Sequence, residues 1–284
     1  MGGVILVGRW TPGEMAAATR QLHAAGCSTG RPLLLMVDQE GGYARRLTWA
    51  PPEHTAGELG RLGPASTRAE AIGAARALRR AGIDIDLAPV TDTLSPGGFL
   101  RSRSFGSDAH RVAALASTFV RAVQSQRVAA TVKHFPGLGT ARRSTDDYKV
   151  SLAATELAPF RAAIDAHPKL VMVSNASYPA LDGTGVAAVF SRPIVTGLLR
   201  DSFGFGGVVV SDALDAPVSD AMPHAPARAL AAGVDLLLYT GSSSAHAAYE
   251  QLAADARGDG TVRASIARAS ARISALERWL GRTC

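Results

Sequence analysis

The run Val208-Val209-Val210-Ser211-Asp212 ends three β-branched apolar residues in a hydroxyl and a carboxylate. The triplet reads as a strand buried on both faces. A carboxylate at the end of such a strand costs desolvation energy unless it is paired or used. At this level two readings fit Asp212, a nucleophile or a cap on the following segment. Four other apolar runs end in the same way. Leu34-Leu35-Met36-Val37 leads into Asp38-Gln39-Glu40-Gly41-Gly42, and Ala88-Pro89-Val90 precedes Asp92. The run from Ala129 finishes in Lys133-His134-Phe135-Pro136-Gly137, and Met172-Val173-Ser174 is followed by Asn175 and Tyr178. A lysine at a strand end also admits a lyase or aldolase working through a Schiff base, which needs a desolvated amine of lowered pKa.

These residues need elements to bring them together. Strand-like runs recur at Gly3 to Gly8, Leu33 to Asp38, Ile83 to Val90, Ala129 to His134, Leu170 to Ser174, Val208 to Asp212 and Val234 to Tyr239. Between them lie Ala/Arg/Leu segments of helical spacing, such as Ala69 to Ala81 and Ala109 to Ser125. Alternation of strand and helix predicts an α/β fold with a parallel sheet covered by helices. Seven strands are one short of a closed (β/α)₈ TIM-type barrel and fit a chain that lacks the first β/α unit. In such a barrel the carboxyl ends of the strands share one mouth, where the polar residues above would converge. An open doubly wound sheet is the other arrangement, but no Gly-x-Gly-x-x-Gly turn follows an early strand. Val262 to Leu280 reads as a closing amphipathic helix with Ile266, Ile273, Leu276 and Leu280 on one face.

At 284 residues and 47% hydrophobic composition the chain can bury one large core, and residues 1–284 are expected to form one domain. The net charge is +6, yet the only lysines are Lys133, Lys149 and Lys169, and the arginines are scattered through Ala-rich helical segments. That pattern is composition bias on solvated helix faces, and no nucleic-acid partner is expected. No apolar run approaches the length of a membrane span, and the first residues lack the regions of a signal peptide. The chain opens directly on strand-like residues, so an upstream piece is expected and localisation is not legible. Cys27 and Cys284 show no metal spacing; neither a disulfide framework nor a zinc site is expected.

Six motifs in order carry a family resemblance. They are Val37-Asp38-Gln39-Glu40-Gly41-Gly42 with Arg46, Leu87-Ala88-Pro89-Val90-Thr91-Asp92, Arg103-Ser104-Phe105-Gly106, Lys133-His134-Phe135-Pro136-Gly137, Tyr178-Pro179-Ala180 and Gly207-Val208-Val209-Val210-Ser211-Asp212. From residue 2 to about residue 240 the chain resembles glycoside hydrolase family 3, in its NagZ-like branch of single-domain β-N-acetylhexosaminidases. The resemblance implies a retaining mechanism on a (β/α)₈ barrel, with a nucleophile matching Asp212 and sugar-binding residues matching Asp38, Arg46, Arg103, Lys133 and His134. It implies a carbohydrate substrate, an amino-sugar glycoside such as one derived from peptidoglycan, and no cofactor or metal. The chemistry asks for such a set independently. A carboxylate must attack the anomeric carbon, and charged donors and acceptors must grip sugar hydroxyls. Arg46 and Arg103 have a plainer reading as ion-pair partners of strand-end aspartates. Lys133 and His134, adjacent on an extended run, should point to opposite faces unless the Pro136-Gly137 bend lets both reach the ligand.

The chain departs from the family pattern where an Asp-Ser-His triplet supplies the general acid/base. It reads Arg142-Arg143-Ser144-Thr145-Asp146-Asp147-Tyr148 there, and no histidine lies between His134 and His167. Asp146 is the candidate acid/base, Asp147 the second, and a surface pairing of Asp146 with Arg142 or Arg143 the plainer alternative. An active glycosidase is expected, with a sugar-binding pseudoenzyme of the same fold as the alternative.

Overall fold

The computed structural model describes residues 2–284 apart from positions 154 and 221. The chain opens with β1 (Gly3–Ile5) and α1 (Pro12–Ser28), then β2 (Leu34–Val37), β3 (Gln39–Gly41) and β4 (Ala44–Arg45). There follow α2 (Ala56–Leu62), α3 (Pro64–Arg80), β5 (Ile85–Asp86), α4 (Ala109–Gln124), β6 (Ala129–Phe135), α5 (Ala158–Asp165) and β7 (Leu170–Val173). A π-type helix at Pro193–Ser202 leads to β8 (Val208–Ser211), and α6 (Ala225–Ala232), α7 (Ser242–Gly258) and α8 (Gly260–Leu280) complete the chain. Six strands form one parallel sheet in the order β1-β2-β5-β6-β7-β8, the order of the chain, and β3 and β4 form a separate antiparallel hairpin.

Two of the expected strands are cut short for physical reasons. Only Ile85–Asp86 of the run Ile83 to Val90 is a ladder strand, because Pro89 has no N–H to give; pairing resumes as a single bridge between Val90 and Lys133. The run Val234 to Tyr239 joins β8 through one bridge, Val210 to Leu236. Its ladder breaks where the Leu238 N–H donates to the Ser211 hydroxyl, at 2.9 Å, in place of a backbone carbonyl. On its far side Leu236 packs against the start of β1, where a Cβ placed on Gly2 would stand 3.1 Å from Leu236 Cδ2.

Alternate residues of the strands divide the core in two. Leu34, Met36, Ile85, Ala129, Leu170, Met172, Val208 and Val210 share one apolar cluster with Leu238. Their sequence neighbours Leu35, Val37, Ala130, Val132, Val171, Val173 and Val209 face the helices in another. Strands buried on both faces explain the unbroken apolar runs in the sequence. From α8, Ile273 and Leu276 are buried in the inner cluster and Leu280 packs beside it, whereas Ile266, expected on the same face, is only half-buried. That helix carries Cys284 back to the end of α1, where it forms a disulfide with Cys27 across 257 residues, the Cα atoms 5.1 Å apart. The expectation of no disulfide is thus corrected: spacing along the chain is silent about a bond that the returning helix creates in space.

Candidate active site

The carboxyl ends of the strands open on a cavity of about 500 Å³, and all seven residues expected at a site line it: Asp38, Arg46, Arg103, Lys133, His134, Asp146 and Asp212. Four strands and two loops deliver them. Asp38 follows β2, Arg46 follows β4, Arg103 lies in the loop after β5, Lys133 and His134 end β6, Asp146 sits in the loop after β6, and Asp212 follows β8.

Lys133 is the hub of the floor. Its fully buried Nζ donates to Asp38 Oδ1 at 2.8 Å and lies 2.7 Å from Glu40 Oε1. Arg103 grips Glu40 with both arms, Nε to Oε2 and Nη2 to Oε1, each at 2.8 Å. Arg46 Nη2 reaches Asp38 Oδ2 at 3.3 Å. Burial alone would push the Lys133 amine down, but the Asp38 and Glu40 carboxylates outweigh it and raise its pKa. Burial likewise works against the Glu40 charge, and Lys133 and Arg103 overcome it, holding that carboxyl far below the usual carboxylate range. A lysine locked as an ammonium between two carboxylates is no Schiff-base nucleophile, which removes the lyase reading.

Both Lys133 and His134 face the cavity, against the opposite-face expectation. The β6 ladder shifts register between Val132 and Phe135, and the Lys133–His134 peptide is cis. Asp92, fully buried, accepts the His134 backbone N–H at 3.1 Å and holds His134 Nδ1 at 2.8 Å through the same oxygen, while its other oxygen takes the Leu138 N–H. The turn that presents His134 is therefore built on one carboxylate.

Asp212 Oδ1 accepts the Ala213 N–H at 2.9 Å, and the residue forms no ion pair within 4 Å among the described residues. Burial raises the Asp212 carboxyl above its ordinary value; His134 opposes that shift and Asp146 adds to it. Asp146 is exposed at the cavity wall, tied to its own loop by Ser144, whose hydroxyl donates to Asp146 Oδ2 at 3.0 Å and accepts its N–H at 3.1 Å. No pairing with Arg142 or Arg143 is formed among the described residues: the Arg143 guanidinium lies over the Tyr148 ring, 4.7 Å from its centroid, and Asp147 does not line the cavity. Arg46 pairs with a strand-end aspartate as its plainer reading allowed, while Arg103 pairs with Glu40; both still line the cavity.

Sequence reasoning singled out Asp38 and passed over Glu40, although residues two apart on an extended run share a face. Asp86 was hidden inside an apolar run. It is fully buried, Oδ1 accepts the Gln39 N–H at 3.1 Å, Oδ2 has no hydrogen-bond partner among the described residues, and burial raises its pKa well above the usual carboxylate value. Among the described residues no group of three or more His, Cys, Asp or Glu is placed to hold a metal, and no helix is long and apolar enough to cross a membrane.

Residues 1–276 match the model of the glycosyl hydrolase family 3 N-terminal domain. A β-hexosaminidase of Stenotrophomonas maltophilia is 34% identical over 226 residues, 73% of this chain and 67% of the relative. A secreted glycosyl hydrolase of Arthroderma benhamiae is 33% identical over 268 residues, 86% of this chain and 74% of the relative. The crystal structure of a β-N-acetylhexosaminidase from Beutenbergia cavernae superposes with a TM-score of 0.90 at 33% identity, covering 98% of this chain and 89% of that one.

Proposed function

The chain belongs to glycosyl hydrolase family 3, and from that membership we propose that it is a retaining glycosidase releasing terminal β-linked N-acetylhexosamine from an amino-sugar glycoside of the peptidoglycan type. We read its sheet and the Val234 to Tyr239 segment as seven units of a (β/α)₈ barrel in one domain spanning residues 1–284.

In this reading the Asp212 carboxylate attacks the anomeric carbon as the bond to the leaving oxygen breaks. Asp146, as the carboxylic acid, gives that oxygen its proton. Water then attacks the same carbon, the resulting Asp146 carboxylate takes the water's proton, and the ester to Asp212 breaks to free the sugar. Asp38, Arg46, Arg103, Lys133 and His134 hold the ring through its hydroxyls, with Lys133 and Arg103 pre-set by Glu40 and His134 by Asp92 so that little reorganisation is left for the reaction. The observation that carries the reading is a contrast among the five carboxylates that line the cavity: Asp38 and Glu40 are held in ion pairs and Asp215 is saturated by N–H and hydroxyl donors of Thr240, Gly241 and Ser244, whereas Asp212 accepts only the Ala213 N–H and Asp146 only groups of Ser144 and its own loop. A bound-sugar pseudoenzyme finds no support among the matched relatives, which bear the names of glycosyl hydrolases and β-hexosaminidases.

The test is hydrolysis of a panel of aryl glycosides that differ only in the sugar. A preference for the N-acetylglucosaminide with retained anomeric configuration is expected; equal rates on the glucoside, or inverted product, would refute it.

A further inference from the structure

The amino ends of β7 and β8 border a second cavity, of about 460 Å³, at the opposite end of the strands from the catalytic one. Lys169 before β7, the loop Gly204 to Gly207 before β8, and Arg272, Leu276 and Trp279 of α8 line it. Carboxylates crowd the catalytic cavity, but among the described residues none lines this one. Lys169 forms no ion pair among the described residues, and its ammonium stands 4.8 Å from the centroid of the Trp279 ring. Arg272 gives one arm to the buried Asp235 at 2.9 Å, and Arg200 takes the other oxygen of that carboxylate at 2.7 Å. Two guanidinium groups thus share one carboxylate, and the Lys169 charge is left over. The glycine loop is tightly built. Arg200 donates to the Phe205 and Gly207 carbonyls at 3.3 and 3.2 Å, and a Cβ on Gly207 would stand 2.6 Å from Phe205 Cζ and 2.7 Å from the Lys169 carbonyl oxygen. The backbone N–H groups of Gly206 and Gly207 donate to no acceptor among the described residues.

The buried side chains of Phe205 and Leu276 give this cavity an apolar lining beside its uncompensated cations. An apolar pocket with a few convergent charged donors suits an organic anion better than a sugar or a bare ion. We propose that it is a second binding site, for a small carboxylate that carries an apolar tail. The carboxylate takes charge-assisted hydrogen bonds from Lys169 and Arg272, and the tail covers Phe205, Leu276 and Trp279. Such a ligand spans α8 and the starts of β7 and β8, so its binding favours the folded state and holds the closing helix to the sheet. The site goes beyond the glycosidase reading and does not depend on it.

The test is equilibrium binding, which needs no turnover. Calorimetric titration compares octanoate with octanol, which keeps the tail without the charge, and with acetate, which keeps the charge without the tail. Octanoate is expected to fill a single saturable site about tenfold more tightly than either, and to raise the melting temperature. Lys169→Met, which keeps an apolar stem beside Trp279, should weaken octanoate about tenfold. Ala275→Trp should abolish its binding, because Ala275 lines the cavity from the exposed side of α8 and the larger ring fills the space. Melting curves without octanoate report that each variant is folded. Octanol that binds as tightly as octanoate overturns the proposal, as does octanoate that fails to bind wild-type protein or binds both variants undiminished. Displacement of octanoate by N-acetylglucosamine would put it in the catalytic cavity and overturns the second site as well.

Discussion

At the scale of single residues, the site is a contrast between paired and unpaired carboxylates. Asp38 and Glu40 are ion-paired with Lys133 and the two arginines, and Asp92 is hydrogen-bonded to the His134 turn; Asp212 and Asp146 have no such partners among the described residues. Asp212→Asn should abolish turnover and leave binding of the product sugar largely intact, because an amide cannot attack carbon while the floor still grips the ring. Calorimetry beside an aryl-glycoside assay measures both, and persistent activity would remove Asp212 from the mechanism. Asp146→Ala should cost on the order of 10²–10⁴ in rate with a poor leaving group and little in the first step with a dinitrophenyl glycoside, which needs no proton. An equal loss with both leaving groups would mean damage to the cavity instead. The pH dependence has a definite sign. As the proposed nucleophile Asp212 would act ionised, and its pKa is raised by burial, with Asp146 adding to the shift, so the acid limb of kcat/KM should lie above the ordinary aspartate value of about 3.9. Removing the Asp146 charge should move that limb down, as followed on the dinitrophenyl substrate, and an upward shift would contradict the electrostatic link between the two carboxylates.

At the scale of elements, most of what positions the site was legible, and the exceptions have causes. The β2, β6, β7 and β8 runs stand out because strands buried on both faces are unbroken in apolar residues, and Asp38, Lys133 and Asp212 stand out as the polar residues that end them. The β3–β4 hairpin was not legible. It is five to seven residues of polar and glycine character with no alternation to read, yet it carries Glu40 to Lys133 and Tyr43 to the rim. Its tight turn depends on Gly41 and Gly42, at φ +104° and +57°. A Cβ on Gly41 would fall 2.2 Å from the His54 carbonyl oxygen, so the position excludes a side chain by contact as well as by conformation. Gly41→Ala should therefore destabilise the protein by more than about 1 kcal/mol and lower affinity for the sugar, since the Glu40 carboxylate would no longer meet Lys133 and Arg103. Thermal melts and sugar titration report the two effects. An unchanged melting temperature would show that the hairpin can accept the methyl by moving. The direction of His134 was left open in the sequence, because alternation along a strand fails where the β6 register shifts, and both Lys133 and His134 line the cavity.

At the scale of the whole molecule, the two ends of the sheet do different work. The carboxyl ends gather the chemistry, and the amino ends gather closure: α8 seats Ile273 and Leu276 in the inner core, and buried Asp235 takes Arg200 on one oxygen and Arg272 on the other, at 2.7 and 2.9 Å. Arg282 pairs with Asp84, and two residues later Cys284 is bonded to Cys27 on α1. This clamp links segments 257 residues apart, so in the unfolded chain it restricts a very long loop, where the entropic effect of a cross-link is largest. Neither cysteine lines the cavity. Stability and catalysis should accordingly separate: Cys27→Ser, Cys284→Ser or reduction of wild-type protein should each lower stability by about 2–4 kcal/mol. For a chain of this size that corresponds to a fall in melting temperature of roughly 3–7 °C. Below the melting transition kcat should stay close to the wild-type value, because the Lys133 network is held from the opposite end of the strands. Calorimetry with and without reductant, on wild type and on the double serine variant, decides the matter. Reductant should shift the wild-type melting temperature and leave the variant untouched. A wild-type protein indifferent to reductant would mean that the Arg282–Asp84 pair and the packing of α8 hold the closing helix without the bond.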